Sequence, residues 1–328
     1  MSRSLRALPK AHLHLHLEAG MRPATLAELA ERHGVAVPPP GPYTEFAQFE
    51  AAYVGAIDAL RTEDDLRRVV REVVEDAAAD GATYLEPALY PCDHRPRFGA
   101  DERVVELVLD ELARAGAEHG VAVGLMIAGD RTRPAQECEE QARLAVRYAG
   151  SGVVSFGLAA EEPGYPAGPF ARAFAIAREA GLLSTPHAGE LAGPEAVREA
   201  LDTLLPDRIQ HGVTAVGDPA LLARLAEGGI CLDVCPTSNV VMGVASLEEH
   251  PLPALLAAGV PCSINADDPL FFGPGLLDEY EACRGAMRLS DEQLAAVARA
   301  SFVASGAARD VVRANVAAID RWLATSAA

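Results

Sequence analysis

Short apolar runs alternate with amphipathic stretches along almost the whole chain. Eight such runs stand out, at 11–17, 83–90, 121–128, 153–160, 182–188, 208–213, 230–236 and 261–267. They are the length of strands and largely apolar at consecutive positions, the pattern of strands buried on both faces. Between them the apolar residues fall at helical spacing. From Glu63 to Asp80, the residues Leu66, Val69, Val70, Val73, Val74 and Ala77 share one face. Similar stretches lie near 101–119, 135–149, 169–181, 194–205 and 218–228. Strand followed by helix, repeated, predicts an α/β fold closed into a parallel (β/α)8 TIM barrel. An open doubly wound sheet is the alternative. It normally carries a glycine-rich phosphate loop after its first strand, and this sequence has none there.

Two regions fall outside the repeat. Residues 22–60 contain a proline-rich break (Pro38, Pro39, Pro40, Pro42) and then an amphipathic stretch from Tyr43 to Leu60. An insertion at this point, after the first strand, is expected to act as a lid over the catalytic face. Residues 276–324 read as helical and are expected to pack outside the barrel, so that 276–328 forms a C-terminal helical segment. No linker or internal repeat interrupts the chain, and 1–328 reads as a single barrel domain.

Composition narrows the function. The length of 328 residues suits one large barrel, and 50% hydrophobic with 23% charged residues suits a soluble globular protein. A net charge of −19 would repel a polyphosphate backbone, so no nucleic-acid partner is expected. Met1 to Lys10 lacks the apolar core of a signal peptide, and there is no apolar run of about 18 residues, so no membrane association is expected. The six cysteines are sparse, and Cys231, Cys235 and Cys262 sit in apolar runs. They read as reduced thiols of a cytoplasmic protein. Cys231 and Cys235 have no second pair to complete a structural zinc site. Oligomeric state is left open.

The polar residues of the apolar runs gather at the strands' C-terminal ends, the catalytic face of such barrels. His12, His14 and His16 alternate on the first run and should point to one side. A lone histidine on an apolar strand is most often a hydrogen-bonded core residue. A His-x-His pair is different, because two buried imidazoles without a shared partner cost desolvation. His12 lies nearest the barrel bottom and is the spare member. His187 ends the fifth run and could complete a three-histidine zinc set. Glu190 follows it, either as an acid reaching substrate or as a helix N-terminal carboxylate before Pro194. His211-Gly212 ends the sixth run. Asp267 and Asp268 end the eighth, where two adjacent acids need a cationic partner or a proton. The bland alternative for that pair is a turn before Pro269. His33, His94, His119 and His250 read as surface or structural residues.

These segments, Pro9-Lys10 with His14-Leu-His16, His187-Ala-Gly-Glu190, His211-Gly212, Cys235-Pro-Thr-Ser-Asn239 and Ser263-Ile-Asn-Ala-Asp267-Asp268-Pro269, resemble those of the adenosine deaminase family of the amidohydrolase superfamily. The resemblance spans nearly the whole chain. It implies one Zn2+ per chain held by His14, His16, His187 and Asp267. It implies that Glu190 protonates purine N1 and that His211 orients the attacking water and stabilises its charge. Asp267 and His211 would accept and hold the water's proton, Asp268 would hydrogen-bond N7, and Glu18 would contact the ribose side. Ala160 stands where the family has a glycine whose N–H meets N3. The reaction implied is hydrolytic deamination at C6 of a small purine nucleoside, adenosine or a 5′-modified adenosine, giving the 6-oxo purine and ammonia. Adenine and aminodeoxyfutalosine, a menaquinone precursor, are alternative substrates. A catalytically dead purine-binding protein is the alternative of another class. A two-metal hydrolase bridged by a carboxylated lysine is disfavoured, because Lys10 is the sole lysine.

The sequence also departs from the family pattern. His12 replaces a glutamate, Glu18-Ala19 replaces Asp-Gly, and Glu86-Pro87-Ala88 replaces Glu-x-Arg. Gly157-Leu158-Ala159-Ala160-Glu161-Glu162 replaces Asp-Leu-Ala-Gly-Asp-Glu. The metal and proton groups are kept, while the residues around the ribose and the pocket floor are changed.

Overall fold

The apolar runs pair side by side as parallel strands in chain order. The structure, a computed structural model, describes residues 3–39, 41, 43 and 45–325. Pro40 and Pro42 of the proline-rich break, and residues 326–328 of the C-terminal segment, lie outside the described residues. The barrel staves are β1 (Lys10–His12), β2 (Ala82–Leu85, resuming at Ala88–Leu89), β3 (Ala122–Val123, resuming at Leu125–Asp130), β4 (Val153–Ala159), β5 (Leu183–Ala188), β6 (Arg208–His211), β7 (Cys231–Val234) and β8 (Cys262–Ile264). Each pairs in parallel with its neighbour. The ring closes where Leu15 bridges Asp267 and His16 bridges Ala88.

Two runs differ from the continuous strands expected of them. The first is a strand only to His12. Beyond it, the N–H groups of Leu13 and His14 both donate to Asn265 Oδ1, at 2.7 and 3.1 Å. A side-chain amide thus replaces the ladder carbonyls at the point where the chain enters the catalytic face. The second run breaks at Glu86-Pro87, where the proline has no N–H to give to a ladder. Glu86 turns into the barrel and meets Arg208, which also donates from Nε to Asp233 Oδ2 at 2.7 Å. All three side chains are fully buried. Ser155, Tyr84 and Ser263 complete their hydrogen bonding. The barrel floor is therefore an ionic network, tolerable because each charge is paired and hydrogen-bonded.

The helices follow the expected periodicity. Helix Glu63–Ala79 buries the predicted face of Leu66, Val69, Val70, Val73, Val74 and Ala77, and a Thr62/Asp65 capping box starts it. Each large apolar side chain so buried contributes about 1.5–3 kcal/mol. The next helices are Asp101–His119, Ala135–Arg147, Ala171–Glu179, Pro194–Thr203 and Pro219–Gly228. The C-terminal segment forms helices Leu276–Gly285, Asp291–Val303 and Arg309–Ala324. The middle one packs against β8 and β1, on the outside of the barrel. After β1, helices Pro23–His33 and Phe46–Ile57 precede the first barrel helix. Among the described residues no helix is long and apolar enough to cross a membrane.

Candidate active site

Three residues that are not glycine have left-handed backbone at the C-terminal ends of staves: Ala160 (φ 75°), His211 (φ 64°) and Asp267 (φ 63°). That conformation costs an L-residue roughly 1–2 kcal/mol, and such costs gather at functional sites. Here the turns aim side chains back over the barrel mouth. Gly212 (φ 71°) continues the turn after His211, where a Cβ would lie 2.5 Å from Leu232. Gly189 (φ 72°) does the same before Glu190, where a Cβ would lie 2.3 Å from Val197.

The predicted ligands converge. His14 Nδ1 donates to the carbonyl of Asp233 at 3.1 Å, and His187 Nδ1 to that of Leu158 at 3.0 Å. A carbonyl only accepts, so each of these Nδ1 atoms carries a proton, which leaves the two Nε2 atoms facing one another. These Nε2 atoms are 3.1 Å apart. Asp267 Oδ1 sits 3.0 Å from His14 Nε2 and 3.2 Å from His16 Nε2. That oxygen is buried without a hydrogen-bond partner. Burial, and then the neighbouring His14, push the His187 imidazole well below its usual pKa, so it adds no proton. Ring nitrogens and a carboxylate oxygen crowded this closely are the donor set of a shared cation. Backbone carbonyls holding the far ring nitrogens are the usual support for metal-ligating histidines. The residues present therefore fit a divalent metal ion. Ligand atoms of His14, His187, His211 and Asp267 lie within 4.8 Å of one another, and His16, Asp267 and Asp268 form an overlapping group. His12 stands apart, its Nε2 accepting from the Ala266 N–H at 3.1 Å. Burial, with His14's charge next, lowers its pKa to about 3, leaving a neutral strut.

The acid–base groups surround this centre. Burial raises the Glu190 carboxyl well above the usual range, helped by the charges of Asp267, Glu162 and Asp268. Burial would also raise Asp267, but His14 and His16 hold it well below the usual range. Asp268 goes the other way, raised by burial and by the charge of Asp267. His211 Nε2 lies 3.4 Å from Glu190 Oε2 and 3.7 Å from Asp267 Oδ2.

Glu190, His211, Asp267 and Asp268 all line one cleft. Helix Phe46–Ile57 supplies Phe46, Phe49, Tyr53 and Val54 to one wall, backed by Phe272. Glu50, Asp93, Asp130 and Arg133 line another part, and Ala160 the floor. Arg133 is already engaged, by Asp93, by Asp130 at 3.0 Å and by Glu137 at 3.0 Å.

Glu18 is placed differently from its expected contact with the ribose side of a ligand. It is 1% exposed and absent from the cleft lining. Its carboxylate is taken by His94 Nε2 at 2.6 Å and by the Tyr53 hydroxyl at 2.8 Å, so Tyr53 is what reaches the cleft. His94 and His250, read as surface or structural, are both buried. Sequence reasoning passed over Glu162, whose carboxylate accepts from the N–H groups of Gly189, Glu190, Leu191 and Ala192. It also passed over Arg131, which holds the His187 carbonyl at 2.5 Å. A charged pair just past a strand end was the available signal for Glu162.

Comparison with known proteins agrees with this arrangement. The chain is 45% identical over 334 residues to a provisionally named adenosine/adenine deaminase of Streptomyces virginiae, with 98% of each chain covered. It is 38% identical over 313 residues to an aminodeoxyfutalosine deaminase of Streptomyces avermitilis, covering 92% of this chain and 87% of that one. A zinc-bound amidohydrolase of Burkholderia ambifaria superposes with a TM-score of 0.86 at 26% identity, over 98% of this chain and 93% of the other. Residues 9–322 match the family described as adenosine deaminase. With that match over a barrel whose mouth gathers these histidines and acids, the chain belongs to the adenosine deaminase family and is a deaminase, a hydrolase acting on C–N bonds.

Proposed function

We propose that the chain carries out zinc-dependent hydrolytic deamination at C6 of an adenine-type purine, with adenosine or a 5′-modified adenosine as substrate. The observation that carries this reading is the convergence of His14 Nε2 on His187 Nε2 and on Asp267 Oδ1, beside a carboxyl, Glu190, biased toward its acid form. His14, His16, His187 and Asp267 would hold one zinc ion, a nitrogen-rich set with one carboxylate that suits it. The zinc-bound relative supports the choice of metal. When bound, the ion supplies Lewis acidity that brings the pKa of water toward neutrality.

The chain's own groups do the rest. Glu190 donates its proton to ring N1, which makes C6 electrophilic. This needs a carboxylic acid at working pH, the form its surroundings favour. His211 faces the attacking water beside Asp267. Asp268, in its protonated form, donates to N7, and the Ala160 backbone edges the floor at N3. The aromatic residues of helix Phe46–Ile57 screen the site from bulk water, and we assign residues 22–60 the role of a lid on a single-domain barrel. The buried, unpaired cysteines suit a reducing compartment such as the cytoplasm.

The acidic rim bears on the substrate. Glu50, Asp93 and Asp130 line the cleft, and Arg133 is already paired. This favours neutral purines over those with an acidic 5′ group. The test is ammonia release by zinc-loaded protein from adenosine, adenine, AMP and a 5′-carboxylated adenosine, with zinc content measured in the same sample. Turnover of adenosine or adenine is expected. Zinc bound at one per chain with no ammonia from any of the four would overturn the reading.

A further inference from the structure

Behind His211 lies a chain of hydrogen bonds whose direction can be read from its far end. The Leu252 N–H donates to His250 Nδ1 at 3.1 Å. A backbone N–H can only donate, so Nδ1 of His250 is unprotonated and the ring's proton is on Nε2. Burial lowers the His250 pKa to about 4, which keeps this ring neutral. His250 Nε2 in turn lies 3.1 Å from Asn239 Oδ1. Reversing the Asn239 amide would set its NH2 against the His250 N–H, donor against donor. The amide therefore presents Oδ1 to His250 and Nδ2 to His211 Nδ1, at 3.3 Å. His211 Nδ1 must then accept. The side chains of His250, Asn239 and His211 are 4%, 0% and 1% exposed, so water does not compete for these bonds.

We propose that His250 and Asn239 are positioning residues that fix His211 in the tautomer with its proton on Nε2, so that the ring donates into the reaction centre. The opposite tautomer would turn a lone pair toward Asp267 Oδ2, 3.7 Å away, which as a carboxylate only accepts. Fixed this way, neutral His211 offers a hydrogen bond to the oxygen of the attacking water and has no lone pair at Nε2 with which to take its proton. The catalytic consequence rests on the deaminase reading; the tautomer itself does not.

The tautomer can be read directly. Protein labelled with 15N-histidine gives long-range 1H–15N correlations that separate protonated from bare ring nitrogens, and the His211 signals are assigned by their loss in His211→Asn. Protonated Nε2 with bare Nδ1 is expected, with and without zinc. A proton on Nδ1, or averaging between the two forms, overturns the proposal. His250→Phe removes the donor that orients Asn239. It is expected to give mixed His211 tautomers and a kcat lower by about 10²-fold, the scale of one acid–base group, with KM and zinc content little changed. His250→Gln restores an N–H toward Asn239 and is expected to recover most of that loss. Unchanged kcat and tautomer in a folded His250→Phe protein would also overturn it. If wild-type protein releases no ammonia, the deaminase reading fails, while the wild-type spectrum still decides the tautomer.

Discussion

His14 and His187 meet Nε2 to Nε2 at 3.1 Å, each with its Nδ1 proton given to a backbone carbonyl on the far side. A divalent ion shared by the two rings and Asp267 would tie them together. A ligand that binds the folded form adds RT ln(1 + [L]/Kd), about 4 kcal/mol at a thousandfold excess over Kd. Chelation should therefore lower Tm by several degrees, and zinc should restore it. Asp267→Ala should bind no zinc and lose the response. Thermal melts with metal analysis check this, and a chelator-insensitive Tm in protein purified with zinc would refute it.

Ala160 offers a different test. Its left-handed backbone costs about 1–2 kcal/mol, against about 0.5–1 kcal/mol of extra chain entropy lost on folding when glycine replaces alanine. The first term is larger, so Ala160→Gly should stabilise the protein, by up to about 1 kcal/mol in urea unfolding. The lost methyl also deepens the cleft floor, and KM for adenosine should fall. A less stable variant would show that the backbone there is not strained.

Glu162 holds the loop that presents Glu190. In Glu162→Gln, an amide NH2 must face backbone N–H groups that a carboxylate now satisfies, leaving at least one donor unpaired at about 1–3 kcal/mol. We expect a kcat lower by more than about tenfold, since acid–base groups act only when correctly placed, with zinc content unchanged. Normal kcat in this variant would separate Glu162 from the placement of Glu190.

Glu279 sets a pH dependence. Burial, opposed by the Thr237 contact, raises its pKa to about 8, and its Oε1 has no partner. The folded chain keeps a proton that the unfolded chain releases near the ordinary 4.5. For an acid shifted upward, stability falls as pH rises between those values and levels off above them. Glu279→Gln removes this slope. Its stability relative to wild type should improve between pH 5 and pH 8 by on the order of 2 kcal/mol. Equal pH profiles for the two proteins would refute the shift.

Much of this architecture was legible in the sequence because it rests on periodicity. The face of helix Glu63–Ala79 and the staves themselves follow from where apolar residues recur. The residues that could hold a metal stood out because they sit at or just past strand ends within or beside those runs. What escaped depends on which side chains meet across the fold. Nothing local distinguishes Glu162 from Glu161, yet only Glu162 turns inward beneath the 189–192 loop. His250 lies in a loop, and only the tertiary fold brings it to Asn239. Glu18 has the chemistry of a ligand contact, but the folded chain gives its carboxylate to His94 and Tyr53. Arg208 lies in an apolar run, and its partners come from β2 and β7.

The closure of the barrel has a consequence of its own. The first and last staves meet through the Asp267 N–H on the His14 carbonyl at 3.0 Å and the His16 N–H on the Asp267 carbonyl at 3.1 Å, with Asn265 reaching across. His14 and His16 stand on one bank of that seam and Asp267 on the other, about three quarters of the 328-residue chain away in sequence. An ion held by all three would be a cross-link closing a loop of that length, and it would act where no connecting loop ties neighbouring staves together. Without it, the seam is where the ring should part first. Amide exchange at Leu13–Leu17 and Asn265–Asp268 would then quicken on chelation before the paired middle of the barrel responds.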